Sequence, residues 1–432
     1  MNKRYAENLM KFIDKSPSVY HVIKNFVKIL EDHGFVRLEQ KNAFNLKPDG
    51  KYFITNNGSA VIAWRMPKSG NTENGFRIIG SHSDSPTFRI KPRPEIKVNN
   101  HFLKLNTEVY GGVILSTWFD RPLSAAGRAV LKTDTILCPE TRLVNFDKAL
   151  LTIPNLAIHM NRDINEGYQY NKQKDTLPLL SIVNETCETD GFLLKLIAET
   201  LNVSVEKILD FDLYLYDREP GCFVGLYDEF FSTGRIDNLG MAYPSIDALV
   251  NSGQSDFVQM AAVFDNEEVG SGTAQGAGSP FLQDCIQRIV VSSCKGNAFE
   301  EMQRSLARSF LISADEAHSL HPNYTEKNDI TNFPVINKGP AIKLAASMSY
   351  TSDGVSSGIF KDLCARANVP CQYFVNRSDM RGGSTIGPIS VSNLNIKSVD
   401  IGNPILAMHS VRELGGTEDQ EFITKVFTEF YK

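Results

Sequence analysis

The chain has 432 residues, of which 42% are hydrophobic and 22% charged, and its formal net charge is −5. This composition is typical of a globular protein with roughly two to four domains' worth of core, and it excludes wholesale disorder. The acidic balance without a basic run argues against a nucleic-acid partner, and no apolar stretch approaches the ~20 residues that span a bilayer.

The first ninety residues combine a helical stretch with short strands. Apolar residues recur at helical spacing and predict helix within residues 5–33, where Ser16-Pro17-Ser18 offers N-terminal capping groups. Strand-like runs follow at 52–55, 60–66 and 76–80. The chain then changes character, because Pro92 and Pro94 interrupt it.

Residues 92–234 predict an inserted β-rich domain. Asn99-Asn100 has the composition of a hairpin turn between two strand-like runs, and one helix is expected at about 190–201. Beyond residue 235 strands and helices alternate. Helices are expected at 238–251, 298–308, 355–367 and 417–431, and buried strands at 258–264, 309–313, 372–376 and 397–401. This alternation predicts an α/β fold with a mostly parallel sheet covered by helices on both faces.

His82 stands where an apolar run ends, in RIIGSHSDSP, and polar side chains follow at once. In open α/β sheets, functional sites collect at the carboxyl ends of strands. Asp84, two residues later, is placed to orient the His82 imidazole toward a metal. Taken alone the pattern is weak, and a turn-capping Asp84 beside a structural histidine is the alternative.

The same arrangement recurs along the chain. Polar residues follow or adjoin other apolar runs at Asp265, Glu267, Glu268, Asp315, Glu316, His318, His321 and His409. Asp237 stands at the expected start of a helix, where a plain N-cap is the alternative. Because a buried carboxylate costs several kcal/mol unless it is paired or binds a metal, repeated clusters of this kind favour a metal site.

The residue types indicate which metals and how many. Carboxylates with a few imidazoles suit zinc, manganese or cobalt, and their number suits two metals ~3.5–4 Å apart sharing a carboxylate. In the adjacent pair Glu267-Glu268, one carboxylate is expected to bind metal while the other serves as a general base. The chain has no HExxH, GxSxG or GxxxxGK[ST] motif, which argues against a helix-borne single-zinc site, that type of serine hydrolase and a P-loop nucleotidase.

The seven cysteines are scattered and form no CxxC pair. This pattern is typical of reduced thiols and predicts a cytoplasmic protein without a cysteine-based zinc site. The N-terminal residues show neither a continuous apolar core nor a small-residue cleavage site, so no secretory signal is expected.

Nine segments together resemble the aspartyl aminopeptidase family of dinuclear zinc metallopeptidases, which includes the aminopeptidase I proteins. In family order, between about residues 79 and 415, they are GSHSDSPTFRIKP, YGGVILSTWFDRPL, IPNLAIHMNR, RIDNLGMA, DNEEVGSGTAQGAGSPF, SADEAHSLHPNY, NKGPAIK, GGSTIGPI and GNPILAMHSVREL. A set of this length is far more specific than any one motif.

The resemblance implies roles for individual residues. It assigns His82 and Asp315 to one metal, Glu268 and His409 to the other, and Asp237 to both. Glu267 would be the general base, and Asp84 would orient His82. His318, Lys343 and Tyr350 match substrate contacts, and His159 matches a histidine that enters a neighbouring subunit's active site to hold the substrate carbonyl.

The resemblance also implies an architecture. Residues 1–91 and 235–432 would form a zinc-exopeptidase-like α/β catalytic domain, and residues 92–234 an inserted dimerisation domain within a tetrahedral dodecamer. Each subunit would hold two zinc ions, with manganese or cobalt as alternatives. Arg381, in SDMRGGSTIGP, departs from the family pattern and adds a cation whose role the sequence leaves open.

The expected activity is removal of an N-terminal Asp or Glu from peptides, with Lys343 as the partner of the substrate's side-chain carboxylate. One alternative is a dinuclear deacylase acting on N-acyl amino acids. Another is a non-enzymatic cargo or scaffold protein of selective autophagy, against which the intact Glu267 and the full ligand set argue.

Overall fold

The computed structural model describes residues 2–183, 191–380 and 382–432. Its α-helices are α1 Arg4–Asp14, α2 Val19–Asp32, α3 Phe192–Leu201, α4 Ile236–Val250, α5 Phe281–Ser293, α6 Ala298–Ala307, α7 Gly354–Arg366, α8 Ile386–Leu394 and α9 Asp419–Phe430. Its strands are β1 Val36–Arg37, β2 Lys51–Asn56, β3 Ala60–Arg65, β4 Phe76–His82, β5 Thr87–Val98, β6 Phe102–Tyr110, β7 Leu123–Leu131, β8 Glu140–Asn145, β9 Leu179–Ile182, β10 Ile208–Asp217, β11 Cys222–Val224, β12 Phe230–Thr233, β13 Val258–Phe264, β14 Phe310–Ala314, β15 Ala317–His318, β16 Ala341–Leu344, β17 Gln372–Val375, β18 Lys397–Gly402, β19 Pro404–Leu406 and β20 Glu413–Gly416.

The largest sheet has the strand order β1-β2-β3-β13-β4-β14-β18-β16-β17 among the described residues. Its centre is parallel, since β13, β4, β14 and β18 pair in register and in one direction. Antiparallel pairs occur toward both sides, at β2–β3, β3–β13 and β18–β16. The prediction of a mostly parallel sheet in an α/β fold is therefore confirmed.

Helices cover both faces of this sheet. Because successive strand residues point to opposite faces, β13 sends Ala261 and Val263 into one core and Met260, Ala262 and Phe264 into the other. The first core includes residues of α1, α2, α4, α7 and α9, and the second includes residues of α5, α6 and α8. The strand ends that carry the polar clusters thus belong to a sheet buried on both sides.

A second sheet has the order β8-β7-β10-β5-β6-β9, with antiparallel pairing throughout. The predicted hairpin joins β5 to β6, and both Asn99 and Asn100 have positive φ angles, of 49° and 55°. Such angles suit asparagine in a tight turn. These strands lie between Thr87 and Asp217, and the division of the chain at residues 92 and 234 stays a prediction.

A third, smaller sheet has the order β11-β12-β20-β19-β15. It joins strands on either side of α4 in the sequence to the last strands of the chain. Among the described residues, no helix is both long enough and apolar enough to cross a membrane.

Several local predictions differ from the structure. Residues 5–33 form two helices, and Ser18 places its hydroxyl 2.8 Å from Nδ1 of His21 instead of capping α2 through its side chain. Helix α9 begins at Asp419, two residues later than expected, and the Thr417 hydroxyl donates to the carbonyl of Asp228. The elements that were not predicted are α5, α8 and β16 and the short strands β1, β15, β19 and β20. The first three lie next to glycine- or proline-containing sequence, which interrupts the apolar periodicity.

We expect Phe26→Ala to lower the free energy of unfolding by about 3–5 kcal/mol. Phe26 is fully buried and stacks on Phe12 with ring centroids 4.7 Å apart. The matched control is Phe299→Ala, which removes an equally large ring that is 72% exposed, and which should change the free energy by no more than about 0.5 kcal/mol. Denaturant unfolding at one fixed protein concentration measures both, and equal losses would contradict this assignment of the core.

Candidate metal centre

Three neighbouring parallel strands deliver the first group of polar side chains. Strand β4 ends at His82, and it lies between β13 and β14 in the sheet. Glu267 follows β13 and Asp315 follows β14. Because parallel strands end at the same edge of a sheet, residues far apart in sequence meet there.

His82 is the centre of this group and is 1% exposed. Its Nδ1 lies 3.3 Å from Oδ1 of Asp84 and 3.1 Å from the carbonyl oxygen of the same residue. Its Nε2 lies 3.4 Å from Oδ1 of Asp237, 3.6 Å from Oδ1 of Asp315 and 3.9 Å from Oε2 of Glu267. One ring nitrogen is therefore oriented by Asp84, and the other faces three carboxylates.

The second oxygen of Asp237 faces a second group. Its Oδ2 lies 3.4 Å from Nε2 of His409, which is also 3.5 Å from Oε2 of Glu268. Nδ1 of His409 lies 3.0 Å from the carbonyl oxygen of Gly112 and can donate its proton there, which leaves Nε2 for the carboxylates. Asp237 thus stands between two imidazoles, with one oxygen toward each.

The structure places Asp237 in a special backbone position. It lies in the first turn of α4, whose N-cap is Arg235, and its φ and ψ angles of −76° and 105° are not helical. An N-cap residue also has a non-helical backbone, but no peptide N–H donates to Oδ1 of Asp237 among the described residues. Its peptide N–H donates to Oε2 of Glu413 at 3.0 Å, and the Ser85 hydroxyl donates to its carbonyl at 2.6 Å.

Three overlapping sets of side chains fit a metal ion, and in each set the potential ligand atoms lie within 4.8 Å of one another. Two of them share Asp237 and are called the two ligand sets, namely His82, Asp237 and Asp315, and Asp237, Glu268 and His409. The third consists of His82, Glu267 and Glu268. Nε2 of His82, Oδ1 of Asp237 and Oε1 of Glu268 are buried without a hydrogen-bond partner among the described residues. Oxygen and imidazole ligands without thiolate suit zinc, manganese or cobalt.

The electrostatics of the centre favour positive charge. Burial alone would lower the pKa of His82, but the nearby carboxylates of Asp237, Asp315 and Asp84 raise it well above its ordinary value. Burial likewise lowers the pKa of His409, while its contact with Asp237 raises it to about 9. Burial and then the charge of Asp237 raise the pKa of Glu268. Carboxylates crowded in this way are stabilised by a cation.

Asp84 fixes the positions of several other residues of the centre. Its Oδ1 accepts the peptide N–H of Glu267 and its Oδ2 that of Glu268, each at 3.1 Å. The Tyr110 hydroxyl donates to Oδ2 of Asp84 at 2.7 Å. One fully buried carboxylate therefore fixes both the His82 ring and the backbone of the glutamate pair.

The centre opens into a cleft of about 790 Å³, counting the space open to solvent. The cleft is lined by both glutamates of the pair and by residues that include His318, Lys343 and Tyr350. Lys343, on β16, is 3% exposed, and its Nζ lies 3.2 Å from Oδ2 of Asp315 and 5.7 Å from the centre of the Tyr350 ring. The His318 ring lies 5.8 Å from that of Phe374, which is on β17.

Of the residues to which the family resemblance assigns a role, one does not join the centre or its cleft within the chain. His159 lies on an exposed turn, Ile158–Met160, and is not among the residues that line the cleft. Arg381 lies outside the described residues. The other ten site residues predicted from the sequence meet at the centre or its cleft.

Sequence reasoning missed Tyr110 and Glu413. Tyr110 holds Asp84, and the buried carboxylate of Glu413 accepts the peptide N–H groups of both Asp237 and His409, the latter at 2.8 Å. Neither stands in a polar cluster at the end of an apolar run. A signal was available nonetheless, because both lie inside segments that carry the family resemblance, YGGVILSTWFDRPL and GNPILAMHSVREL.

Comparison with known proteins shows that the chain is similar to peptidases. A family model described as aminopeptidase I zinc metalloprotease (M18) matches residues 12–431. A probable M18 family aminopeptidase 2 of Clostridium novyi (strain NT) is 52% identical over 428 residues, which are 99% of this chain and 98% of that protein. A protein of the same description from Pseudomonas aeruginosa (strain UCBPP-PA14) is 41% identical over 434 residues, covering 100% and 99%.

Solved structures share the fold. A chain in the cryo-EM structure of the Ape4 and Nbr1 complex superposes with a TM-score of 0.95 at 36% identity, covering 99% of this chain and 85% of that one. The structure of the S. cerevisiae mApe1 dodecamer gives a TM-score of 0.86 at 26% identity, with coverage of 99% and 96%. The predicted fold class is confirmed by these similarities.

We expect Asp237→Asn to weaken binding of zinc at both ligand sets by more than about tenfold, because the variant lacks the charge that faces both imidazoles. Elemental analysis after dialysis against a fixed free zinc concentration measures the content. The control, Asp362→Asn, alters an exposed partner of Arg366 and should bind zinc like the unchanged protein. Full zinc content in Asp237→Asn would contradict a shared ligand.

Proposed function

The chain belongs to the aminopeptidase I zinc metalloprotease (M18) family, and on that premise we propose that it removes the N-terminal residue from peptides, with Asp or Glu preferred and two metal ions at work. One observation carries the proposal. Two ligand sets share Asp237, and the carboxylate of Glu267 lies beside them at the opening of the cleft.

In this proposal His82 and Asp315 would hold one zinc ion, Glu268 and His409 would hold the other, and Asp237 would serve both. Manganese or cobalt would fit the same oxygen and nitrogen ligands. Divalent metals in such a centre supply Lewis acidity, which polarises the peptide carbonyl and makes water a better nucleophile near neutral pH. The task of the ligands is to hold this arrangement, and Asp84 and Glu413 orient them through backbone and ring hydrogen bonds.

Glu267 is the proposed general base. Burial raises its pKa to about 7, with a lowering influence from His82 and raising influences from Asp315 and Asp237. A carboxylate beside the ligand sets that is not itself needed as a ligand can take a proton from water and return it to the leaving amine. Because Asp84 holds the Glu267 backbone, the carboxylate stays directed toward the ligand sets.

Lys343 is the proposed partner of an acidic side chain. An ammonium group has three N–H donors, and the contact with Asp315 uses one of them. Lys343 lines the cleft and is only 3% exposed, so a substrate carboxylate that reaches the remaining donors would gain a charge-assisted hydrogen bond. Tyr350 and His318 line the same space and would contact the substrate.

His159 is proposed to act in a neighbouring subunit. Leu156, Ile158 and Met160 around it are 53%, 48% and 74% exposed, and apolar residues exposed together commonly mark an interface. One similar structure is described as a dodecamer. We propose that this chain likewise forms a homo-oligomer, a tetrahedral dodecamer. In it, His159 of one subunit would meet the substrate carbonyl in the site of a neighbouring subunit. The cytoplasmic location expected from the scattered cysteines is part of the same proposal.

The direct test compares the dipeptide Asp-Ala with its N-acetylated form, using zinc-loaded protein. We expect release of alanine from the free dipeptide and none from the acetylated one, because a free N-terminus defines an aminopeptidase substrate. In Glu267→Gln, kcat should fall by ~10²–10⁴-fold while zinc content stays unchanged, since the shape remains and the proton acceptor is lost.

Preferential cleavage of the acetylated dipeptide would instead identify the deacylase. An undiminished kcat in Glu267→Gln would show that the roles within the glutamate pair are assigned wrongly.

Lys343→Met should lower kcat/KM for aspartyl and glutamyl substrates about 10–150-fold more than for alanyl substrates, the equivalent of losing one charge-assisted hydrogen bond of ~1.5–3 kcal/mol. Since Lys343 also contacts Asp315, zinc content is measured in the same samples. The matched control is Lys361→Met, because the exposed Lys361 lies at the same 5.7 Å from a tyrosine ring, that of Tyr373, but outside the cleft. Equal losses for acidic and neutral substrates at full zinc content would remove Lys343 as the selectivity element.

A further inference from the structure

Two chain segments form one wall of the cleft. The first, residues 349–352, is called the Tyr350 segment, and the second, residues 383–385, the Thr385 segment. Tyr350 lines the cleft from the first, and Gly383, Ser384 and Thr385 line it from the second. Neither segment belongs to a helix or strand, so other contacts must hold each of them in place.

Asp400 contacts both segments. It lies on β18 and is fully buried. Its Oδ2 accepts the Thr351 peptide N–H at 2.5 Å and the Thr351 hydroxyl at 2.9 Å, and its Oδ1 accepts the Thr385 hydroxyl at 2.7 Å. Its own peptide N–H donates to the Ser352 hydroxyl at 2.9 Å.

We propose that Asp400 is a positioning residue that joins the Tyr350 segment to the Thr385 segment and thereby sets the width of the pocket for the substrate's N-terminal side chain. This inference rests on the proposed aminopeptidase function and assigns that site a determinant of side-chain selectivity. Asp400 itself does not line the cleft.

The contacts of the Asp400 carboxylate indicate that its role is to hold these two segments. Among the described residues, Asp400 forms no ion pair, although a buried carboxylate normally needs one. Its charge is stabilised by the hydrogen bonds from the two threonines and by the N-terminus of α8, which begins at Ile386. Gly387 permits this approach, since a Cβ there would lie 2.5 Å from Oδ2 of Asp400.

The proposed selectivity lysine faces the same wall, since Nζ of Lys343 lies 5.7 Å from the centre of the Tyr350 ring. Asp400 thus fixes the wall that carries the neighbour of this ammonium group. Loss of this connection should therefore weaken binding of the substrate's N-terminal side chain, seen in KM, more than it lowers kcat.

The test measures KM and kcat for glutamyl and alanyl substrates, together with zinc content and unfolding temperature. Thr385→Val removes the hydroxyl that joins one segment to Asp400, and Asp400→Ala removes the whole connection. Asp400→Asn keeps an oxygen for the Thr351 N–H and offers its amide to the Thr385 hydroxyl. The control is Thr424→Val, which removes a buried hydroxyl that donates to the Gln420 carbonyl on α9, outside the cleft.

We expect Thr385→Val to raise KM for the glutamyl substrate about tenfold, the equivalent of ~1.4 kcal/mol, and to change kcat and the alanyl KM by less. Asp400→Ala should also raise the glutamyl KM, and Asp400→Asn should reverse most of that increase. The double variant Asp400→Ala/Thr385→Val should match Asp400→Ala, because both break one connection. Thr424→Val should keep the KM of the unchanged protein.

Equal changes for both substrates, a loss confined to kcat, or additive effects in the double variant would overturn the assignment. If Asp400→Ala does not fold, Thr385→Val and Asp400→Asn decide the question. Should the unchanged protein cleave no unblocked peptide, the proposed function fails and this inference fails with it.

Discussion

The carboxylate of Asp237 faces two imidazoles, one from each oxygen, and the rest of the centre depends on that placement. A buried carboxylate holds such a position only if its backbone is fixed, and here Glu413 and Ser85 bind its peptide groups. Glu413 binds the backbone of His409 as well, so one side chain sets the distance between Asp237 and its second partner. The crowded negative charge is then balanced by whatever cation the centre holds.

The second sheet contributes to the centre directly. Tyr110, the last residue of β6, holds Asp84, and the carbonyl of Gly112, just beyond it, orients His409. The region expected to mediate assembly therefore also orients both imidazoles, through Asp84 for His82 and through Gly112 for His409. Changes in packing between the two sheets should reach the proposed metal ligands, although these residues lie on other parts of the chain.

The sequence predicted where the site would form because its signal is local. Apolar runs that end in His82, Glu267 or Asp315 mark strand ends, and parallel strands bring their ends together. The residues that hold the site residues in place, in contrast, are distant from them in the sequence. Asp84 acts through peptide N–H groups 183 and 184 residues away, and Asp400 acts on threonines 49 and 15 residues away. No spacing rule connects such pairs, so only the folded chain shows them.

The central claim is that two metal ions share Asp237, and anomalous diffraction from crystals of the zinc-loaded protein tests it most directly. The account predicts two zinc peaks, one beside His82 and Asp315 and one beside Glu268 and His409, each within bonding distance of Asp237. A single peak at full zinc loading, or a second peak that Asp237 does not reach, would contradict it.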